Sequence, residues 1–311
     1  MGPSMRGIKG TAQGRLLDWY RRHGRASLPW RTVRDPYRTL VSEVMLQQTQ
    51  VDRVEPKFEA FVERFPDFQA LARASTADVL RRWKGLGYNT RAVRLKRVAE
   101  TVVERYAGEM PKEREELRAL PGIGPYTAAA IRAFAFDLDD APIDTNVRRI
   151  VHRFYFGVEH PRAVSASRLD ERARAMLPPG RAHDWNSALM DLGSTICTTR
   201  APQCGRCPLR RQCAAAPVDA AELERRRKAG ARRPSPQNAL AFERTTRHAR
   251  GRIVDRLRDL PPGERISLLD LHRSIESSIA GRGVEEVREL VAALDADGLL
   301  YSDGDHVALR E

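Results

Sequence analysis

All four cysteines of the chain, Cys197, Cys204, Cys207 and Cys213, fall within seventeen consecutive residues, with six, two and five residues between them. Four thiolates in so short a stretch can enclose one metal centre. Such a segment must then fold as loops wrapped on an inorganic core. The candidates are a tetrahedral zinc ion and a four-iron cluster, since both take four cysteine sulfurs. Zinc sites commonly use two close pairs on separate turns. Here only Cys204 and Cys207 are close, and the outer cysteines stand on longer arms, which favours the larger [4Fe-4S] core. Disulfides are the competing reading, disfavoured because no secretory segment is visible and intracellular enzymes rarely use them. Arg200, Arg206, Arg210 and Arg211 surround the cysteines, so the loops they close present positive charge.

That charge extends to the whole chain. The 311 residues carry a formal net charge of +13, with an isoelectric point near 10.1, which points to a polyanionic partner. No apolar run approaches the roughly eighteen residues that span a bilayer, so no membrane association is expected. The expected location is cytoplasmic and nucleoid-associated. The length leaves room for two or three domains, each with its own core. Met1-Gly2-Pro3-Ser4-Met5 is excluded from fold reasoning as a cloning scar before a native Met5.

Helical spacing dominates up to about residue 216. Thr11–His23 is amphipathic, and Asp35-Pro36 is a capping carboxylate followed by proline at the first helical position. Apolar residues then recur at three- and four-residue steps through Tyr37, Leu40, Val41, Val44 and Met45. Further stripes run through Phe58–Phe65, Thr76–Trp83, Ala92–Tyr106 and Thr127–Phe136. Glu222–Pro236 is rich in arginine and small polar residues and reads as a helical tail entering a solvated linker. From Phe242 onward the pattern changes to three helices, near 245–259, 267–279 and 284–296. Leu299-Leu300-Tyr301 and Val307-Ala308-Leu309 follow around a Ser302–Asp305 turn, as in a small winged helix.

Between two helical stripes lies Leu120-Pro121-Gly122-Ile123-Gly124-Pro125-Tyr126-Thr127. Its glycines make a tight turn and leave the next helix with free N-terminal amides, a combination suited to a DNA phosphate and indifferent to sequence. This is the helix-hairpin-helix pattern, in which Gly122, Gly124 and Thr127 are the candidate backbone-contacting positions. With Ile143-Asp144-Thr145-Asn146 and the cysteine loop it resembles the endonuclease III superfamily of DNA glycosylases. Leu28-Pro29-Trp30-Arg31, Ser42–Gln50 and Met190-Asp191-Leu192-Gly193 further resemble the MutY-type adenine DNA glycosylases. The resemblance covers about residues 10–216.

What the resemblance implies is specific. The fold class is mainly α, a two-lobed helix-hairpin-helix glycosylase with the active site between lobes and a small C-terminal winged-helix domain. The expected division is an N-terminal helix (1–28), a six-helix barrel (29–136), a cluster lobe (137–216) holding a [4Fe-4S] cluster on the four cysteines, a basic linker (217–238) and a winged helix (239–311). Glu43 would protonate adenine N7 and later activate water, Asp144 would stabilise the cationic sugar, Tyr126 would assist, and Asn146 would position Asp144. Breaking an N-glycosidic bond needs such a pair of carboxyl groups, and burial would keep Glu43 protonated near neutral pH. Bifunctional members carry lysine where this chain has Tyr126. A phenol cannot form their Schiff base, so the enzyme is expected to be monofunctional. Gln48 and Tyr88 match residues that fill the gap left by a flipped nucleotide. Trp30, Arg31 and Leu46 resemble the pocket lining. The expected partner is double-stranded DNA with a mismatched or damaged pair, bound by a monomer.

Two departures keep alternatives open. A Nudix-like domain that recognises 8-oxoguanine is usual in this family, and about seventy residues of winged helix stand in its place. Those residues have two readings. They could grip flanking DNA through Arg250, Arg252, Arg256 and Arg288, or dock a protein partner through Glu285, Glu286 and Glu289. Second, Asn89 occupies a position where adenine-specific members commonly carry tyrosine, which keeps a uracil or thymine mismatch glycosylase as the alternative. A non-catalytic DNA-binding regulator is the third reading.

Overall fold

The computed structural model describes residues 11–157, 164–230 and 242–311. Met1–Met5 and the Arg232–Pro236 stretch, read above as a scar and a linker, lie outside the described residues. Local capping sets most helix starts. The Thr11 hydroxyl accepts from the Gly14 N–H at the head of α1 (Ala12–His23), and Asp35 accepts from the Arg38 N–H at 2.6 Å at the head of α2 (Pro36–Leu46). Then follow α3 (Val51–Arg64), α4 (Phe68–Arg73), α5 (Thr76–Arg82) and α6 (Thr90–Tyr106). Asp67 and Ser75 cap α4 and α5 in the same way, satisfying amides that would otherwise lack partners.

Two compact units result. The first comprises the described residues up to Glu43, Pro111–Ala119, and those from Ile123 to residue 230. It holds α1, most of α2, α7 (Arg114–Ala119), α8 (Pro125–Ala130), α9 (Thr145–Phe156), α10 (Ala166–Met176), α11 (Ala182–Thr195) and α12 (Ala220–Gly230). The stripe foreseen over Thr127–Phe136 is helical but not uniformly so, since α8 continues as a π-helical stretch from Ile131 to Ala135. Leu16, Leu17, Ile150, Trp185, Leu189 and Leu192 form its apolar core, and Cys197 and Cys207 pack against that core. Asp140, wholly buried, is compensated by Arg114, Arg132 and Arg174 and by the Ala141 N–H.

The second unit comprises Val44–Met110, Leu120–Gly122 and the described residues from 242 on. Its helical half packs Val54, Phe58, Phe61, Leu71 and Trp83 out of solvent. Its other half is α13 (Thr246–Arg258), β1 (Ile266–Ser267), α14 (Leu268–Ile275), α15 (Val284–Ala296), β2 (Leu300–Ser302) and β3 (His306–Leu309). The sheet order is β1-β3-β2 with β3 antiparallel to both neighbours, pairing Ile266 with Val307 and Tyr301 with Ala308. This helix–strand–helix–helix–hairpin order is a winged helix. Sequence reading missed β1, because two residues are too few to show alternation. The helix expected at 267–279 ends at Ile275 and tightens into a 3-10 turn at Glu276–Ser278.

The winged helix lies directly on the 44–110 helices. The Ala77 N–H donates to the Arg310 carbonyl at 2.8 Å, Lys84 pairs with Asp259 at 2.8 Å, and Arg258 Nη2 donates to Asn89 Oδ1 at 2.7 Å. Among the described residues, no helix is long and apolar enough to cross a membrane.

Candidate active site

Glu43 sits near the C-terminal end of α2, with Val41 and Ser42 before it and Val44 and Met45 after it also buried. Only 9% of it is exposed. Burial pushes its carboxyl up to about 7, against an ordinary 4.5, and the negative charge of Asp144 adds to the rise. The Tyr126 hydroxyl, which donates to Glu43, and the nearby Arg31 pull the other way without cancelling the cost of burial. The Tyr126 phenol is itself raised well above its usual range, by burial first and then by Glu43 and Asp144. Below about pH 7 the glutamate and tyrosine are thus a hydrogen-bonded neutral pair close to the Asp144 charge.

The turn that delivers Tyr126 relies on Gly122, whose φ of +80° is the left-handed region that L side chains avoid. Gly124 caps α8 and Pro125 opens it. Thr127, next in the chain, is buried.

Asp144 is the N-cap of α9. Its Oδ1 accepts from the Val147 N–H at 2.7 Å and its Oδ2 from Asn146 Nδ2 at 2.9 Å. The plain capping role and the electrostatic one coexist, because the cap fixes the carboxylate that Glu43 and Tyr126 feel. Asn146 is held in turn. Arg149 Nη2 donates to Asn146 Oδ1 and to the Gly193 carbonyl, both at 2.7 Å, and Arg149 Nε donates to the Cys197 carbonyl at 2.7 Å. An unbroken chain of hydrogen bonds therefore joins Asp144 to the backbone of the first cysteine. Sequence reading gave Arg149 no role. Its place one helical turn past Asn146 did not single it out in the sequence, and its burial, to 7% exposure, shows only in the fold.

Gly193 makes this arrangement possible. A Cβ added there would lie 2.6 Å from Asn146 Cβ and 3.2 Å from its Cγ. Gly193→Ala should push Asn146 off Asp144 and slow base release by about tenfold to a hundredfold, the scale of a displacement near 1 Å. Single-turnover kinetics with circular dichroism as a folding control checks this. An unchanged rate would mean that Asn146 does not position Asp144.

Asp191, on the same helix, is almost wholly buried. Burial alone would raise its carboxyl, but Arg31 and Arg25 outweigh that and hold it below the usual range. Arg31 donates to Asp191 at 2.9 Å and Arg25 closes on the other oxygen at 2.7 Å. Arg31 is therefore anchored, and its charge still reaches Glu43. Trp30 is buried nearby in sequence, at 9% exposure.

Leu46, Gln48 and Tyr88 belong to the other unit. Leu46 is half-buried, whereas Gln48 and Tyr88 are exposed. Both exposed residues hold a left-handed backbone, with φ of +57° and +46°, a conformation costing on the order of 1 kcal/mol or more for each. Arg91 stabilises the pair of loops. Its Nη1 donates to the Val44 and Met45 carbonyls at 2.8 and 3.0 Å and also to Gln47, and its Nη2 to Leu86 and Gly87 at 3.0 and 3.2 Å.

None of the four cysteines is in a disulfide, and all are half-buried. Burial, and then the neighbouring sulfurs of Cys197, Cys213 and Cys204, push the Cys207 thiol up to about 12. N–H groups point at two of the sulfurs: Arg153 Nη1 at 3.4 Å from Cys197 Sγ and the Val218 amide at 3.5 Å from Cys204 Sγ. Such donors suit thiolates, and a metal centre would reverse the cost of ionising them. Among the described residues no three ligand side chains converge at the spacing of a single ion.

The profile of the HhH-GPD superfamily of base excision DNA repair proteins matches residues 41–174. An adenine DNA glycosylase of Mycolicibacterium smegmatis is 41% identical over 249 residues, covering 78% of this chain and 79% of that protein. The chain belongs to the adenine DNA glycosylase family of HhH-GPD repair proteins. A human relative of the same family is 39% identical over 213 residues, which cover 65% of this chain but 39% of the human protein. Among solved structures, a thermostable thymine-DNA glycosylase superposes with a TM-score of 0.60 at 29% identity, covering 67% of this chain and 97% of its own. An endonuclease III–DNA complex superposes with a TM-score of 0.57 at 20% identity, covering 71% and 99%, a likeness of fold alone.

Proposed function

We propose that this family member is a monofunctional glycosylase that binds double-stranded DNA and hydrolyses the N-glycosidic bond of adenine mispaired with guanine or 8-oxoguanine. The observation that carries the reading is the buried Glu43, held protonated up to about pH 7 beside Tyr126 and Asp144. Glu43 gives its proton to N7 of an extruded adenine. The C1′–N9 bond then breaks with its electron pair leaving on the base. The Asp144 carboxylate, fixed by Val147 and Asn146, stabilises the positive charge at C1′. Glu43, now ionised, takes a proton from water as its oxygen adds to C1′, which restores the starting state.

The relatives named adenine DNA glycosylases support adenine as the base. Asn89, which the sequence set apart from adenine-specific members, accepts from Arg258 through its side-chain carbonyl, and the duplex panel below decides between adenine and the uracil or thymine reading.

Cys197, Cys204, Cys207 and Cys213 would hold a [4Fe-4S] cluster, which supplies a rigid cross-link of the basic loops when bound. The N–H groups of Arg153 and Val218 that face the Cys197 and Cys204 sulfurs suit the thiolates such a group would require. Iron and acid-labile sulfide assays of the purified chain test this, and zinc in their place would overturn it.

The decisive experiment uses labelled duplexes with A, U or T opposite G, 8-oxoguanine and C, scored by alkali cleavage after incubation. Product from A:G and A:8-oxoguanine alone is expected, with no strand break before alkali. Product only from U:G or T:G would overturn the adenine assignment, and no product from any duplex would leave a DNA-binding regulator.

A further inference from the structure

Eight residues, Asp137–Asp144, link the π-helical stretch that follows Tyr126 to the Asp144 cap, and four of them are aspartates. So many acids in one loop could suit a cation, but N–H donors already occupy these carboxylates. Asp137 accepts from the His183 N–H and from Arg34, both at 2.8 Å, and its backbone is left-handed, with φ of +52°. Asp139 accepts from the Gly180 N–H at 3.0 Å. Asp144 caps α9, and it alone of the four has a part in the chemistry proposed above.

Asp140 is tied down most heavily. Wholly buried, it accepts two hydrogen bonds on each oxygen. Its Oδ2 takes Arg114 Nη2 at 2.5 Å and Arg132 Nε at 3.0 Å, and its Oδ1 takes Arg174 Nη1 at 3.1 Å and the Ala141 N–H at 2.8 Å. Guanidiniums thus converge on it from α7, the π-helical stretch and α10. The Asp140 carbonyl accepts from Asn186 Nδ2 on α11 at 2.9 Å.

The link from Asp140 to Asp144 has no slack. Ala141 belongs to the apolar core, Ile143 packs against it, and the ring of Pro142 fixes its own φ. On the other side, Arg132 stands on the helix that begins with Pro125 and Tyr126, and its Nη1 donates to the Lys112 carbonyl. The Lys112 ammonium lies 5.3 Å from the centroid of the Phe136 ring. Residues at both ends of the π-helical stretch are therefore pinned by Lys112, just ahead of α7. Such stretches are rare and frequently mark functional sites.

We propose that Asp140 is a positioning residue: through Arg132 it clamps the loop ending in Asp144 to the helix that carries Tyr126, and so fixes the spacing of the groups that act on the glycosidic bond. It touches no reacting atom. A role in stability alone would leave the rate per folded molecule untouched. The proposal rests on the adenine-excision reading above and adds a residue to it.

The test compares full-length wild type with Asp140→Asn, whose amide turns a donor towards the guanidiniums and so forces the loop to shift. Circular dichroism confirms the fold, and the single-turnover rate of base release is read from pH 5 to 9 beside mismatch-duplex affinity. The rate should fall by about tenfold to a hundredfold, the scale of a displacement near 1 Å, with affinity changed by no more than about threefold. The alkaline limb of the pH–rate profile should also move to lower pH. Glu43 is faced by Tyr126 from α8, Asp144 from α9 and Arg31 from the segment before α2. Buried Thr127–Ala130 keep α8 in place, so what recedes is the Asp144 charge that helps to hold the proton on Glu43.

An unchanged rate in folded Asp140→Asn protein would overturn the proposal, and so would a slower rate with an unmoved limb. Should that variant fail to fold, Arg132→Gln, which leaves Asp140 its other two guanidiniums, decides by the same readouts. Rates are read on whichever duplex the wild type processes, so a wrong base assignment leaves the test intact. A wild type that releases no base from any duplex strikes the catalytic reading and this one with it, whereas an unaffected variant of an active wild type strikes this one alone.

Discussion

Replacing Glu43 with glutamine should lower the single-turnover rate of adenine release by about a thousandfold or more, while mismatch-duplex affinity changes by no more than about threefold. Glutamine keeps the shape and the hydrogen bond to Tyr126 but has no proton to give at N7. A second signature follows from the same burial. The carboxyl is raised from 4.5 to about 7 in the folded protein, so the folded state binds this proton more tightly than the unfolded chain does. Its contribution to stability is fully present below pH 4.5, falls as pH rises towards 7, and then stays constant. At about 1.4 kcal/mol for each factor of ten, the loss is about 3 kcal/mol. The glutamine variant should therefore melt several degrees higher than the wild type at pH 8 and no higher at pH 4. The wild-type rate should fall above pH 7 as Glu43 ionises. Calorimetry and stopped-time excision assays across pH 5–9 check both. A variant that loses affinity as severely as rate, or melts at the wild-type temperature at pH 8, would remove Glu43 from its role.

The largest structural effect is expected at Arg91. Its guanidinium satisfies carbonyls at the end of α2 and in the Gly85–Thr90 loop, stacks over Trp83 and Tyr88 at 5.5 Å, and has its charge disfavoured by burial. Arg91→Ala leaves those buried carbonyls unsatisfied, at a cost of about 3–5 kcal/mol. Arg91→Lys should recover little, since a single ammonium cannot span both loops as the planar fork does. Urea unfolding gives the stability. The loops are also where Gln48 and Tyr88 hold strained backbones, so any folded Arg91 variant should bind mismatch DNA less tightly than the wild type. Equal midpoints for Arg91→Ala and wild type would mean that the two loops hold themselves.

Much of this was legible without coordinates, and the reason is that the motifs are local. The Asp35-Pro36 start, the Gly122–Gly124 turn and the Asp144 cap are each written in a few adjacent residues whose backbone preferences are fixed by short-range physics. The four-cysteine spacing and the glutamate–aspartate–tyrosine set are likewise properties of the chain as written. Burial and long-range hydrogen bonding are not. Nothing near Glu43 in sequence reveals that Tyr126, some eighty residues later, donates to it. Nor does the sequence show that Arg149 spans from Asn146 to Cys197, or that Gly193 is a glycine because Asn146 lies against it. Nor is it visible in the sequence that the Asn89 carbonyl accepts from Arg258, 169 residues away. Residue identity determined which chemistry was available. Only packing, through desolvation and contacts between distant segments, decided which of those groups ionise and which are merely tied down.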